Sequence, residues 1–223
     1  MVRARSENEK MRIGILGGTF NPIHFGHLRA AEEIREAFHL EKIIFVPSAN
    51  PPHKEKDVII PSHRFVMVNL AIEKNPCFFF SDVELKLQGL SYSIETIKHF
   101  CQKYGSNAEL FFILGLDAFL EIDTWKNYKN LFTLCNFIVI SRPGFEKERQ
   151  KDLFPSEISN DFSYDRKNRR YIFKTGFATY FQKITQIDIS SRNIRRNIKE
   201  GKSVKYLLPE KAIEYIEKHR LYG

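Results

Sequence analysis

The sequence predicts an α/β protein built on a doubly wound parallel sheet, closed by a helical C-terminal portion. Three observations predict it. Apolar runs of strand length alternate with amphipathic helical stretches over the first two thirds of the 223 residues. The first strand leads through Gly17-Gly18 directly into a helix pattern, the order of a βα unit. No internal repeat or low-complexity segment interrupts that order.

Each element follows from its own residues. Arg12–Leu16 is a short apolar run and reads as a buried strand, and the stretch after it carries helical periodicity to about Phe38. Lys42–Val46 reads as a second strand, Ser62–Glu73 as a helix with Ser62 as its N-cap, and Cys77–Ser81 as a strand. Ser91–Lys103 is helical and ends near Gly105; Glu109–Leu114 is a strand; a helical stretch then continues to about Leu134. Phe137–Ile140 is a further strand, closed by Arg142-Pro143-Gly144. Phe145–Arg170 is polar and charged, with the basic run Arg166-Lys167-Asn168-Arg169-Arg170, and reads as a surface insertion. The pattern recovers with a strand ending at Ile189 and two closing helices. Residues 1–10 are a polar leader and 11–223 one domain that carries the charged insertion at about 145–170.

Composition narrows the class. A hydrophobic fraction of 43% with 28% charged residues is that of a soluble globular protein. No apolar run approaches a membrane span, and the first ten residues lack the apolar core of a signal peptide. Cys77, Cys101 and Cys135 are odd in number and far apart, which fits reduced thiols in the cytoplasm and gives no metal-binding spacing. The net charge of +8 suits a polyanionic ligand, and equally a solvated basic surface.

Two strings carry chemistry. The first is Gly17-Gly18-Thr19-Phe20-Asn21-Pro22-Ile23-His24-Phe25-Gly26-His27. Glycines let backbone approach an anion, the helix N-terminus offers free N–H groups, and His24 and His27 share one face of the first turn. There they can donate to oxygens on which charge gathers in a transition state. The second is Ile187-Asp188-Ile189-Ser190-Ser191-Arg192-Asn193-Ile194-Arg195-Arg196. By itself the serine pair is an ordinary N-cap; with Arg195 it also offers hydroxyls, helix N–H groups and a guanidinium to one anion.

The first string resembles the nucleotide-binding signature of the His-x-Gly-His nucleotidyltransferase superfamily. The second resembles the Ile-Ser-Ser-Thr-x-Ile-Arg motif of bacterial nicotinate-nucleotide adenylyltransferases. Pro51-Pro52-His53-Lys54, Ser91-Tyr92-Ser93-Ile94-Glu95-Thr96, the stretch from Phe112 to Trp125 with Gly115 and Asp117, and the closing Leu208–Tyr222 segment are similar to further motifs of that family. The sequence departs from the pattern in two places. Asn21 stands where Asp is commonest, and Arg192 replaces the motif's Thr.

The resemblance implies a Rossmann-like nucleotidyltransferase fold and adenylyl transfer from ATP, with Mg²⁺, to nicotinate mononucleotide. It implies that Gly17, Gly18, Thr19, Phe20, His24, His27, Asp117, Ser190, Ser191 and Arg195 hold ATP, with His24, His27 and Arg195 catalytic. Lys54, Ser93, Trp125, Lys126 and Arg142 are implied for the acceptor. Without the family, Asp117 is equally a helix-capping residue, Trp125 a packing residue, Lys54 a solvated lysine and Arg142 a brace at a strand end. Other acceptors stay open, among them the amide mononucleotide. Nucleic-acid binding is the reading from a different class. A class I aminoacyl-tRNA synthetase uses a similar histidine motif, but no tRNA-binding domain is recognisable here, so neither nucleic acid nor membrane is expected as partner. The sequence is compatible with a homo-oligomer and does not fix one.

Overall fold

A computed structural model describes residues 10–51, 57–87, 89–141 and 151–223. In chain order the elements are β1 (Met11–Gly18), α1 (Phe25–Ala37), β2 (Lys42–Pro47), α2 (Pro61–Ile72), β3 (Phe78–Phe80), α3 (Val83–Lys86), α4 (Ser93–Tyr104) and β4 (Ala108–Gly115). They continue with α5 (Leu116–Leu120), α6 (Tyr128–Leu131), β5 (Asn136–Ser141), β6 (Phe162–Asp165), β7 (Arg170–Phe173), β8 (Ala178–Lys183), α7 (Ser191–Lys199) and α8 (Glu210–Lys218).

The strands form one sheet in the order β3-β2-β1-β4-β5-β8-β7-β6. From β3 to β8 every neighbouring pair is parallel. Strand alternation sends apolar side chains to both faces, as a doubly covered sheet requires. Ile13, Ile15, Phe112 and Leu114 pack with α3, α4, α5 and α6 residues on one face. Leu16, Phe45, Phe111 and Ile113 pack with α1, α2, α7 and α8 on the other. Chain order reverses between β1 and β4, so their carboxyl ends open the crevice in which such sheets bind ligands.

Four details differ from the sequence expectation. Helix α2 begins at Pro61 with Ile60 as N-cap, not Ser62: the ring fixes a helical φ and its missing N–H costs nothing at the first turn. The stretch to Leu134 is broken into α5, a 3₁₀ turn at Ile122–Thr124 and α6, because Trp125 is extended and Asn127 left-handed (φ 52°). Strand β8 stops at Lys183, where its partner β5 stops, and the chain reaches Ile189 through a tight turn in which Ile189 N–H donates to Ile187 O (2.8 Å).

The largest difference is the charged insertion. From Lys151 onward it is no surface appendage: β6 and β7 extend the sheet by antiparallel pairing, and Phe154, Ile158 and Phe162 are buried. The basic run Arg166–Arg169 occupies the hairpin turn, while Phe162, Tyr171 and Phe173 face the core. Averaged charge hid a period-two pattern. Residues 142–150 lie outside the described part.

Candidate active site

Helix α1 starts where β1 ends, and its capping residue is His24. The extended backbone of His24 turns its N–H toward His27 Nδ1 (3.3 Å), three residues on. Accepting that bond leaves the proton of a neutral His27 ring on Nε2, where it is a donor. The two imidazoles stack with centroids 3.7 Å apart, and Phe20 meets His27 edge-on at 5.1 Å. Burial lowers the pKa of His24 to about 4. Burial, and then His24 itself, hold His27 well below the ordinary histidine value. Both rings are therefore neutral at pH 7 until an anion arrives.

Glycine keeps this geometry open. A Cβ at Gly26 would stand 3.0 Å from Cε1 and Nδ1 of His24, and one at Gly18 3.0 Å from the Phe20 ring. At Gly17 the nearest atoms would be at an ordinary 3.7 Å, so close approach to an anion is not forced there by protein neighbours.

Asn21, 3% exposed, is the knot of the loop. Its Nδ2 donates to Asp57 O (2.9 Å), while its Oδ1 accepts from Tyr222 Oη (2.9 Å) and Ile59 N–H (3.4 Å). Its carbonyl accepts from Arg195 Nη1 (2.8 Å). One residue on, Pro22 O accepts from Ser191 Oγ (2.8 Å). Ser190 Oγ accepts from Asn193 N–H (3.2 Å) and so caps α7, while Ile194 is buried beneath. The two strings, about 170 residues apart in the chain, thus meet backbone to side chain.

Three of the residues expected for the acceptor meet elsewhere. Ser93, Trp125 and Lys126 line one cleft of about 260 Å³, together with Thr19 from the first string. Pro51, Ser91, Tyr92, Glu121 and Thr124 complete its walls. Trp125 is half-buried and packs edge-on against Phe112 (6.3 Å). Lys126 Nζ lies 4.5 Å over the Tyr92 ring and 3.5 Å from Glu95 Oε1. Asp117 sits exposed in the first turn of α5, where Gly115 is the N-cap, so the capping role read for Asp117 is not the one it takes. Lys54 and Arg142 lie outside the described residues.

Sequence reasoning missed Arg64, Glu84 and Tyr222. Arg64 is fully buried, and Glu84 (8% exposed) accepts from Thr96 Oγ1 (2.8 Å) while burial raises its pKa. For Arg64 and Glu84 the only signal was a charged residue inside an apolar helical pattern, which a surface face produces just as well; Tyr222, past the end of α8, gave none beyond its place in the closing segment.

The cytidylyltransferase-like family model matches residues 15–197. A probable nicotinate-nucleotide adenylyltransferase of Geotalea daltonii is 45% identical over 96% of this chain and 99% of its own. Its counterpart in Thermoanaerobacter is 43% identical over 96% of this chain and 95% of its own. The chain belongs to the nicotinate-nucleotide adenylyltransferase family. The same fold appears in the nicotinic acid mononucleotide adenylyltransferase of Plasmodium falciparum solved with NaAD (TM-score 0.72, 22% identity, 96% of this chain and 98% of that one). As a member of this nucleotidyltransferase family the protein is an enzyme. Among the described residues no helix is long and apolar enough to cross a membrane.

Proposed function

We propose that the protein transfers the adenylyl group of MgATP to the 5′-phosphate of nicotinate mononucleotide, a step of NAD synthesis. An oxygen of the mononucleotide phosphate attacks the α-phosphorus, the bond from that phosphorus to the bridging oxygen breaks, and pyrophosphate leaves with the electron pair. The products are nicotinate adenine dinucleotide and pyrophosphate. The attacking phosphate is already an anion, so no enzyme nucleophile is needed, and the protein's task is positioning and charge stabilisation.

One observation carries this reading: the histidine loop and the α7 N-terminus are joined through Asn21, Pro22, Ser191 and Arg195 into one anion-facing unit. In it His27 offers Nε2–H, and Arg195 brings its guanidinium to the carbonyl of Asn21, within the loop that carries both histidines. Phosphate oxygens raise the pKa of both imidazoles as they arrive, so the pair tightens as negative charge grows. Ser190 and Ser191 are spent largely on capping and on Pro22, and serve the site chiefly by fixing α7. Asp117 is read as the ribose contact, and Trp125 with Ser93 and Lys126 as the pyridine end, supported by the cleft they share.

Among the described residues no three His, Cys, Asp or Glu side chains gather as a metal cage. Mg²⁺ would enter with the phosphates of ATP, whose oxygens are the hard donors it prefers. Bound there, the ion neutralises phosphate charge. Residues 11–223 are read as one catalytic unit, on a single sheet and a family match that spans most of it. Its place in the cytoplasm rests on the unpaired cysteines.

The test is pyrophosphate release with purified protein, MgATP and either the acid or the amide mononucleotide. Rapid release with the acid and little with the amide is expected. Release with the amide alone overturns the acceptor, and release with neither overturns the reaction.

A further inference from the structure

Arg64, on α2, is fully buried (0% exposed). A guanidinium in such a place must have its N–H groups engaged or forfeit their hydration. It is engaged by three carbonyls: Nε donates to Ile59 O (3.1 Å), Nη1 to Thr19 O (2.6 Å) and Nη2 to Ala49 O (3.4 Å). An arginine used only to fill the core would not gather three main-chain oxygens from two separate connections, those after β1 and after β2. These connections share one feature, the cleft. Thr19 lines it, and Pro51, which also lines it, follows Ala49 by two residues. Ile59 lies on the far stem of the same connection, between β2 and α2. Ala49 is gripped from its other side as well, since its N–H and that of Asn50 donate to Ser91 Oγ (3.0 and 2.9 Å), and Ser91 is another lining residue.

We propose that Arg64 is a positioning residue for the acceptor mononucleotide. By holding Thr19, Ala49 and Ile59 around one planar cation it sets the distance from the Thr19–Pro51 wall of the cleft to the Ser93–Trp125 wall, without touching the ligand. This rests on the reading of that cleft as the mononucleotide site. Arginine suits the task because its fork of N–H groups is rigid and spans several acceptors in one plane; a lysine ammonium keeps the charge but has no such fork. The ATP side of the loop keeps contacts that do not pass through Arg64, from Asn21 to Asp57 and from Arg195 to Asn21, so it should feel the change less.

Trp125 is the only tryptophan in the chain and lies in the cleft, so its fluorescence reports occupancy without turnover. Nicotinate mononucleotide and MgATP would be titrated separately into the wild type, Arg64→Lys and Arg64→Gln, with ATP binding read by equilibrium dialysis. Both variants are expected to bind the mononucleotide about tenfold or more weakly, and MgATP within about threefold of wild type. Unchanged mononucleotide affinity in a folded variant overturns the proposal. So does an equal loss for both ligands, which is the mark of general loosening. If the wild type itself shows no response to the mononucleotide, the assignment of the cleft has failed instead, and the two failures are told apart by that one titration.

Should both variants fail to fold, hydrogen exchange on the wild type decides. Linkage requires a ligand that depends on this wall to stabilise it in return. Saturating mononucleotide should slow exchange at the Ala49 and Asn50 amides more than MgATP does; equal or no added protection overturns the proposal.

Discussion

Around the loop that follows β1, the polar contacts converge on the buried Asn21 and Pro22 and mostly involve backbone: Asn21 to Asp57 and Ile59, Arg195 to Asn21, Ser191 to Pro22. Across the crevice, the far wall of the cleft is built from the start of α4 and the broken stretch after β4, with Glu121, Thr124 and Lys126 exposed and Trp125 half-buried. One region holds its shape before any ligand comes. The other is a surface that a ligand completes. The contrast separates the two demands of group transfer: charge stabilisation needs groups fixed in advance, whereas choice of acceptor needs only a few well-placed contacts.

The sharpest way to break the contrast is through the histidines. Alanine at His24 or His27 should lower kcat by ~10²-fold or more in pyrophosphate release, the cost of removing one preorganised donor, with little change in the KM for the mononucleotide. A similar loss confined to KM would place the pair with the cleft instead. Next comes Trp125→Ala, which should raise the mononucleotide KM about tenfold while leaving that for ATP nearly unchanged. Equal effects on both substrates would make Trp125 a packing residue and erase the distinction.

A smaller effect tests the knot itself. In Asn21→Asp the donor to Asp57 O is lost and two carbonyl or carboxylate oxygens face each other; a loss of about 1–3 kcal/mol in urea unfolding is expected. Tyr222→Phe removes only the hydroxyl bond to Oδ1 and should cost about 1 kcal/mol.

The mildest test is pH. The folded His24 has its pKa lowered to about 4 from 6.5, so the unfolded chain binds more protons between those values. Stability of the ligand-free protein should therefore fall as pH drops through that window, and His24→Ala should flatten the slope in a series of urea midpoints. A wild type with no slope there would mean that the imidazole is not desolvated.

The same contrast governs what could be read from the sequence. The β1–α1 junction was legible because it lies in consecutive residues: a strand, a glycine turn and a helix start leave a local signature, as Gly18, His24 and His27 show. The parallel sheet was legible in the same way, from the alternation of strand and helix. What joins the pieces was not legible. Arg64 and Tyr222 act on Thr19 and Asn21 across 45 and 201 residues, and no local pattern announces a bond of that span. The insertion was misread for a related reason: Phe154 and Phe162 find their partners in Phe132 and Phe173, far along the chain, while the charges that dominate the stretch belong to a turn. Ser62 lost the cap because its neighbour Pro61 already opens the helix and leaves that place to Ile60, a competition the sequence displayed but composition alone could not decide.

Asn21 has one more consequence, which concerns the lifetime of the protein. An asparagine ages by attack of the following backbone nitrogen on its side-chain amide, a ring closure that releases ammonia and leaves aspartate behind. The residue after Asn21 is Pro22, whose nitrogen carries no hydrogen and cannot form that ring. The amide that donates to Asp57 is thus guarded by its own neighbour from the commonest route of asparagine ageing.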